Sequence, residues 1–166
     1  MTSSDVIAAE SSRSCGECTA CCEGWLSAEN LDMRPGKACG QLTARGCGAY
    51  ETRPDEPCRR FFCVWLRLPS FPEELRPDRC GAIVIPTYAS AEGDDTKRML
   101  SAVPLGNPMS EDAKRLLIRC AALMELPLVI QEFIKSDGEY IGVKGELFDG
   151  ARGSESRLIP ARLVEL

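Results

Sequence analysis

Cysteine is the residue type in this chain that points most clearly to chemistry. Eight of the 10 cysteines fall between Cys15 and Cys63, and the first four of them read C-x-x-C-x-x-C-C. Cysteines at this density form a disulfide framework, bind metal or carry out redox reactions. The candidate metal ligands are, in chain order, Cys15, Cys18, Cys21, Cys22, Cys39, Cys47, Cys58 and Cys63.

The spacing of the first cysteines favours a metal over disulfides. Cys15, Cys18 and Cys21 have the C-x-x-C-x-x-C spacing of a bacterial ferredoxin loop, and a later cysteine would supply the fourth ligand. Cys22 does not fit this scheme, because adjacent residues rarely bind the same tetrahedral ion. It indicates two metal centres, a bridging thiolate or a redox thiol. Eight sulfurs also divide into two four-sulfur sites, the usual number for structural zinc or for a cubane cluster.

Histidine is absent, and this narrows the chemistry further. A metal would be held by thiolates, or by thiolates with a carboxylate, backbone or water ligand. Ser-His and Cys-His catalysis in their usual forms are excluded, and mononuclear catalytic zinc is disfavoured. We therefore expect an iron–sulfur cluster, of the 4Fe-4S type, with Zn²⁺ as the alternative. No residue is assigned a catalytic role, so whether the protein is an enzyme is left open.

The wider motif resembles the CxxCxxCC cysteine-cluster family, whose YkgJ-like members are described as zinc- or iron-chelating. The resemblance runs from Cys15 to Trp65, with Arg76-Pro77-Asp78-Arg79 as a continuation, and rests on the eight cysteines together with Leu42, Gly46, Tyr50, Arg53, Pro54, Arg59, Phe62 and Trp65. It implies metal binding through all eight cysteines. A flagellin lysine methylase has a similar motif and is thought to carry an iron–sulfur cluster, but residues 81–166 show nothing typical of that activity.

The neighbours of the later cysteines suit a negatively charged metal centre. Three arginines close to Cys58 can offset the charge of thiolates: Arg53, Arg59 and Arg60. Three aromatic residues flank Cys63 and either screen a cluster from water or pack in an ordinary core: Phe61, Phe62 and Trp65. The two cysteines outside the cluster, Cys80 and Cys120, are expected in the core as small apolar residues.

Composition limits the class of protein. The 166 residues carry a net charge of −5 and are 44% hydrophobic, which is typical of a soluble globular domain without a nucleic-acid or membrane surface. The N-terminus lacks the basic and apolar segments of a signal peptide, so we expect a cytoplasmic protein with reduced thiols. A protein partner is expected. The functions that remain open are a redox or accessory role, a zinc-stabilised interaction module and metal trafficking.

The chain divides into three stretches by composition. Residues 1–14 are predicted to be a mobile tail, residues 15–66 an irregular metal-binding region rich in Gly and Pro, and residues 67–166 an α+β region. The second stretch has too little apolar periodicity for a large core of its own, so a metal or cross-links are expected to hold it.

Regular patterning begins after the cysteine cluster. Residues 81–88 and 98–103 predict two strands, and Ser110 is the expected N-cap of a helix that ends before Pro127. Residues 128–134 and 140–144 predict a second hairpin around Asp137-Gly138. The order ββαββ predicts an α+β fold, with the cysteine-rich region packed on a small antiparallel sheet and one main helix.

Overall fold

A computed structural model describes residues 12–90, 96–149 and 156–162. Its helices and strands are, in chain order, β1 (Leu42–Thr43), β2 (Gly46–Cys47), α1 (Val64–Arg67), α2 (Pro77–Cys80), β3 (Ala82–Ser90), β4 (Thr96–Pro104), α3 (Glu111–Leu123), β5 (Leu128–Ser136), β6 (Glu139–Phe148) and β7 (Ser156–Arg162). None of the helices within these ranges has the length and apolar character that crossing a membrane requires.

The α+β class and the ββαββ order are confirmed. Strands β3 to β7 form one sheet in sequence order. The sheet is mixed rather than wholly antiparallel, because β4 and β5 run parallel, with Leu100 beside Leu128 and Ala102 beside Ile130. Helix α3 is the reason, since it carries the chain back along the sheet before β5 begins. The other three neighbouring pairs are antiparallel.

Strand β7 was not expected from the sequence. It pairs with β6 at the edge of the sheet and contains Pro160. Proline cannot donate a hydrogen bond to a ladder and weakens a strand signal, but an edge strand tolerates it. The sequence Glu92-Gly93-Asp94-Asp95 predicts a turn or loop between the first two strands, and it lies outside the described residues.

Helix α3 follows the sequence signals closely. The Ser110 hydroxyl accepts a hydrogen bond from the backbone N–H of Ala113 at 3.2 Å, so the predicted N-cap is confirmed. The helix ends at Leu123, short of Pro127. Its buried side chains, Leu117 and Ala121, cover the sheet, and Leu117 has no exposed surface. The helix thus closes one side of the apolar core.

That core is continuous across the boundary near residue 66. The cysteine-rich region contributes Ala20, Cys63, Val64 and Trp65 to the same buried cluster as strands β3, β4 and β5. The fully buried residues of this cluster include Leu75, Ile83, Leu100, Leu117 and Leu128. The cysteine-rich region therefore does not need a large core of its own at its C-terminal end, because it shares the core of the sheet.

Arg13 anchors the chain just before the first cysteine. Its guanidinium donates to the carbonyl oxygens of Trp65 (2.8 Å), Leu68 (3.1 Å) and Phe71 (2.9 Å), and lies 4.8 Å from the centre of the Trp65 ring. Of the stretch 1–14 that is predicted to be a mobile tail, the structure describes residues 12–14. Residues 1–11 lie outside the described part of the chain.

A second contact joins the cysteine-rich region to the sheet through aromatic rings. Trp25 lies 5.7 Å from Phe133 of β5 and 5.6 Å from Tyr140 of β6, measured between ring centres. Gly106 lies beneath the indole, where an added Cβ would come within 2.5 Å of a ring carbon. Residues 24–37 are therefore held against the sheet by a fitted aromatic contact.

Candidate metal centre

All eight candidate cysteines line one cavity. The cavity has a volume of about 1180 Å³ and lies between the loop of residues 15–22, the β1–β2 hairpin and residues 50–67. The lining cysteines are Cys15, Cys18, Cys21, Cys22, Cys39, Cys47, Cys58 and Cys63. Residues separated by up to 48 positions in the chain (63 minus 15) are thus brought to a common surface.

The C-x-x-C-x-x-C-C run folds as a tight loop that starts at Cys15. The backbone N–H of Cys18 donates to the carbonyl oxygen of Cys15 at 3.0 Å, and that of Cys22 donates to Thr19 at 2.7 Å. Gly16 has φ = 55°, a left-handed conformation that glycine adopts readily. Ala20 is 1% exposed and fixes the end of the loop in the core.

Three of the thiols lie against the apolar core. Cys63 is 6% exposed and immediately precedes α1, and Cys18 and Cys21 pack against the same buried cluster. Cys15 is solvent-exposed but close in the chain to the anchored Arg13. This side of the cavity is positioned by tertiary packing, which sequence spacing alone does not show.

Backbone hydrogen bonds join the cysteines on the other side. The N–H of Cys39 donates to the carbonyl oxygen of Cys22 at 2.8 Å, and the N–H of Leu42 donates to Cys39 at 3.0 Å. Leu42 of β1 pairs with Cys47 of β2. Cys58 lies in the helical turn Asp55–Arg59 and is half-buried. These thiols depend on short local structure rather than on the sheet.

Burial raises the pKa of several of these thiols. The pKa of Cys22 rises from 9.0 to about 11, first through burial and then through the neighbouring Cys47, Cys39 and Cys58. The pKa of Cys63 also rises to about 11, chiefly through burial. For Cys21 the pKa rises further, with burial again the main cause. Without a metal these three thiols are protonated at neutral pH, so a binding cation must displace protons.

Burial also raises the pKa of Cys15 and of Cys58. The effect holds at Cys15 even though its residue surface is exposed, because the protein atoms around its sulfur remove part of its solvent. The positive charge of Arg53 lowers both of these pKa values and partly opposes burial. Arginine at the cavity thus favours the thiolate form that binds metal.

The charged residues that line the cavity are all positive within the described part of the chain. They are Arg13, Arg53, Arg59 and Arg67, with no aspartate or glutamate among the described lining residues. Arg53 and Arg59 were expected near the site. Arg60 does not line the cavity and pairs with Glu56 at 3.0 Å instead. Arg13 and Arg67 were missed, although Arg13 lies only two positions before Cys15.

The three predicted aromatic residues lie at the cavity, and one of them also packs in the core. Phe61, Phe62 and Trp65 all line the cavity. Trp65 is also 5% exposed, belongs to the core and donates its indole N–H to Glu73 at 3.0 Å. Phe62 is 38% exposed, with the Arg67 guanidinium 4.7 Å above its ring. The aromatic wall at Trp65 is therefore buried, and the one at Phe62 faces solvent.

The remaining cysteines lie away from the cavity lining. Cys80 is 4% exposed, and its thiol contacts the carbonyl oxygens of Ala82 (3.2 Å) and Leu75 (3.6 Å). Cys120 is half-buried on α3 and packs against the core. Both positions agree with the expected role of small apolar residues.

The sulfurs surround the cavity rather than meet at one point. Among the described residues, no three Cys, Asp or Glu side chains are arranged closely enough to hold a single metal ion. A tetrahedral zinc ion with Zn–S bonds of about 2.3 Å needs its sulfurs about 4 Å apart. An iron–sulfur cluster contributes its own sulfides and spans a wider set of thiols. Eight thiols without histidine are chemically a donor set for a thiolate-bound metal centre.

Comparisons of this chain with protein families, with curated proteins and with solved structures find no match.

Proposed function

We propose that this is a metal-binding protein that holds an iron–sulfur cluster through its N-terminal cysteines and has a redox or enzyme-accessory role. The observation that carries the proposal is the cavity lined by all eight candidate cysteines. The absence of histidine leaves thiolate as the natural ligand. The resemblance of the cysteine motif to the CxxCxxCC family supports the same conclusion.

The surroundings of the thiols suit a cluster. Four thiolates around a cluster core leave a net charge of about −2, which the lining arginines offset. Trp65 and Cys63 are buried in the core, so water would be excluded from the side of the cavity that they line. Such a cluster would supply one-electron transfer, and these residues would influence its potential through charge and solvent exposure.

A protein partner would meet the cavity at its exposed aromatic rim. Tyr50 is 50% exposed and Phe62 is 38% exposed, and each ring carries an arginine guanidinium above it. Exposed aromatic and arginine side chains are enriched at protein interfaces. The net charge of −5 argues against nucleic acid as the partner. Free thiols in this number agree with a reducing compartment such as the cytoplasm.

The alternative function is a zinc-stabilised interaction module without catalysis. The observation that favours it is the β1–β2 knuckle, where a two-residue hairpin brings Cys47 next to Cys39 through Leu42. Short knuckles with cysteine ligands alone are typical of closed structural zinc sites. The four-coordinate zinc site would then require the loops to close further around the ion.

Anaerobic purification followed by analysis of iron, zinc and acid-labile sulfide distinguishes the two functions. We expect iron and sulfide in equal amounts. We also expect an absorption band at about 400 nm that disappears on reduction or on exposure to air. Full zinc occupancy without sulfide, unchanged after anaerobic reconstitution with iron and sulfide, would contradict the iron–sulfur proposal and support the zinc module.

A further inference from the structure

We propose that the eight thiols form two neighbouring four-sulfur centres rather than one. The inner centre consists of Cys15, Cys18, Cys21 and Cys63, and the outer centre consists of Cys22, Cys39, Cys47 and Cys58. The inference rests on the proposed function in that the thiols bind metal. It concerns how the thiols are grouped around the metal, and a single zinc ion in either group would require the loops to close further.

The inner centre is defined by the apolar core. Cys63, Cys18 and Cys21 belong to or pack against one buried cluster, which none of the four outer thiols joins. Arg13 ties the chain before Cys15 to α1 through Trp65 and to the segment after α1 through Leu68 and Phe71, and α1 begins directly after Cys63. The first and last members of this centre are therefore tied together although 48 positions separate them.

The outer centre is defined by local backbone contacts. Cys22 accepts a hydrogen bond from the N–H of Cys39, and Cys39 accepts one from Leu42, which pairs with Cys47. This chain of contacts links three of the four outer thiols without passing through the core. The turn that carries Cys58 is fixed to the same region by Arg59, which donates to the carbonyl oxygens of Glu51 (2.6 Å) and Arg53 (2.9 Å).

The junction between the centres is the peptide bond between Cys21 and Cys22. Consecutive Cα atoms are about 3.8 Å apart, so the two centres share a wall. In this arrangement Cys21 contributes its sulfur to the inner centre and Cys22 contributes its sulfur to the outer centre. This explains why C-x-x-C-x-x-C is followed directly by a fourth cysteine. Two four-thiolate centres carry a total charge of about −4, for which four arginines line the cavity.

The test compares substitutions at two adjacent positions. Cys21→Ala is expected to lose the inner centre and Cys22→Ala the outer centre, so each variant should retain about half of the metal content per chain. Within one centre a second substitution has no further effect, so Cys18→Ala/Cys21→Ala and Cys22→Ala/Cys47→Ala each retain about half. Across centres, Cys21→Ala/Cys47→Ala loses nearly all. Cys120→Ala, outside both centres, is the control and retains full metal content.

Measurements on the unchanged protein avoid the risk that a variant fails to fold. Metal is removed stepwise with a chelator, and the freed thiols are alkylated and located by mass spectrometry. We expect the thiols to become reactive in two sets of four, with the outer set first, because its loops do not belong to the buried core and open without disturbing it. Release of all eight together, or in sets that mix the two centres, would overturn the division.

Failure of this inference is distinguishable from failure of the proposed function. Zinc without sulfide, released in the two sets of four, would contradict the iron–sulfur cluster but support the two centres. Iron and sulfide lost completely on either Cys21→Ala or Cys22→Ala, with folding intact by circular dichroism, would support the cluster and overturn the two centres. A protein that binds neither metal after anaerobic reconstitution would overturn both.

Discussion

Residues 15–62 and residues 82–148 are stabilised by different means. The sheet has nine-residue strands with long ladders, and its buried side chains are fully enclosed. The cysteine-rich region has two-residue strands and short helical turns, and most of its side chains are half-buried or exposed. We propose that the first region gains its order from metal and from three anchors: Arg13 on residues 65–71, Ala20 in the shared core and Trp25 on the sheet.

The largest effect on the sheet side is expected at Leu117. This side chain has no exposed surface, so Leu117→Ala should lower the free energy of unfolding by about 3 kcal/mol. Leu123→Ala on the same helix is the matched control, since Leu123 is 86% exposed, and it should change that energy by about 0.5 kcal/mol or less. Urea denaturation measures both. Equal losses would show that α3 does not close the core as described.

Gly106→Ala should break the aromatic contact between the two regions. The new Cβ would come within 2.5 Å of the Trp25 ring, and φ is 78°, so a loss of about 2 kcal/mol is expected. Gly138→Ala separates the steric clash from the backbone strain. Its φ is 85°, but no atom lies within 4 Å of the added Cβ. It should cost about 1 kcal/mol. Trp25 fluorescence should shift only in the Gly106 variant, and an unshifted spectrum there would contradict the contact.

Arg13→Ala should loosen the attachment of the first cysteine to α1. Three hydrogen bonds from one guanidinium are lost, at a cost of about 1 to 2 kcal/mol. The control is Arg115→Ala, which removes an exposed ion pair with Asp112 and should cost about 0.5 kcal/mol or less. Metal content should fall in the Arg13 variant alone. Unchanged metal content and an unchanged free energy of unfolding in both variants would show that Arg13 does not anchor the first cysteine.

A further expected effect is a pH dependence of the stability of the metal-free protein. The pKa values of Cys22 and Cys63 are about 11 in the folded protein and 9.0 ordinarily, so folding favours the neutral thiol. That stabilisation is complete below pH 9 and is lost as pH rises from 9 towards 11. Urea denaturation should show that the free energy of unfolding falls as pH rises through this range. The fall should be smaller in the Cys22→Ala variant. A rise with pH would contradict the burial of these thiols.

Much of the sheet region could be predicted from the sequence because its signals are local. Ser110, Glu111 and Asp112 begin α3, and Asp137-Gly138 makes the tight turn before β6. The parallel pairing of β4 with β5 could not be predicted as readily, because it depends on where α3 packs rather than on strand pattern. Strand β7 was missed for a local reason, since Pro160 weakens a strand signal that the sheet edge tolerates.

The candidate site was predictable in its members but not in its arrangement. The eight cysteines that the sequence singles out are the eight that line the cavity. Their division depends on long-range contacts, such as those of Arg13 with α1 and of Cys63 with the core, which spacing in the chain does not encode. Cys22 was the hardest residue to place for this reason, since its neighbours come from three different loops.

Hydrogen exchange in the metal-loaded and the metal-stripped protein tests the central claim most directly. If metal replaces a core in the cysteine-rich region, its removal should greatly reduce amide protection between residues 22 and 60 and leave strands β3 to β6 nearly unchanged. Arg13 and α1 should be affected to an intermediate degree. Equal loss of protection in both regions, or no change in the cysteine-rich region, would contradict the account.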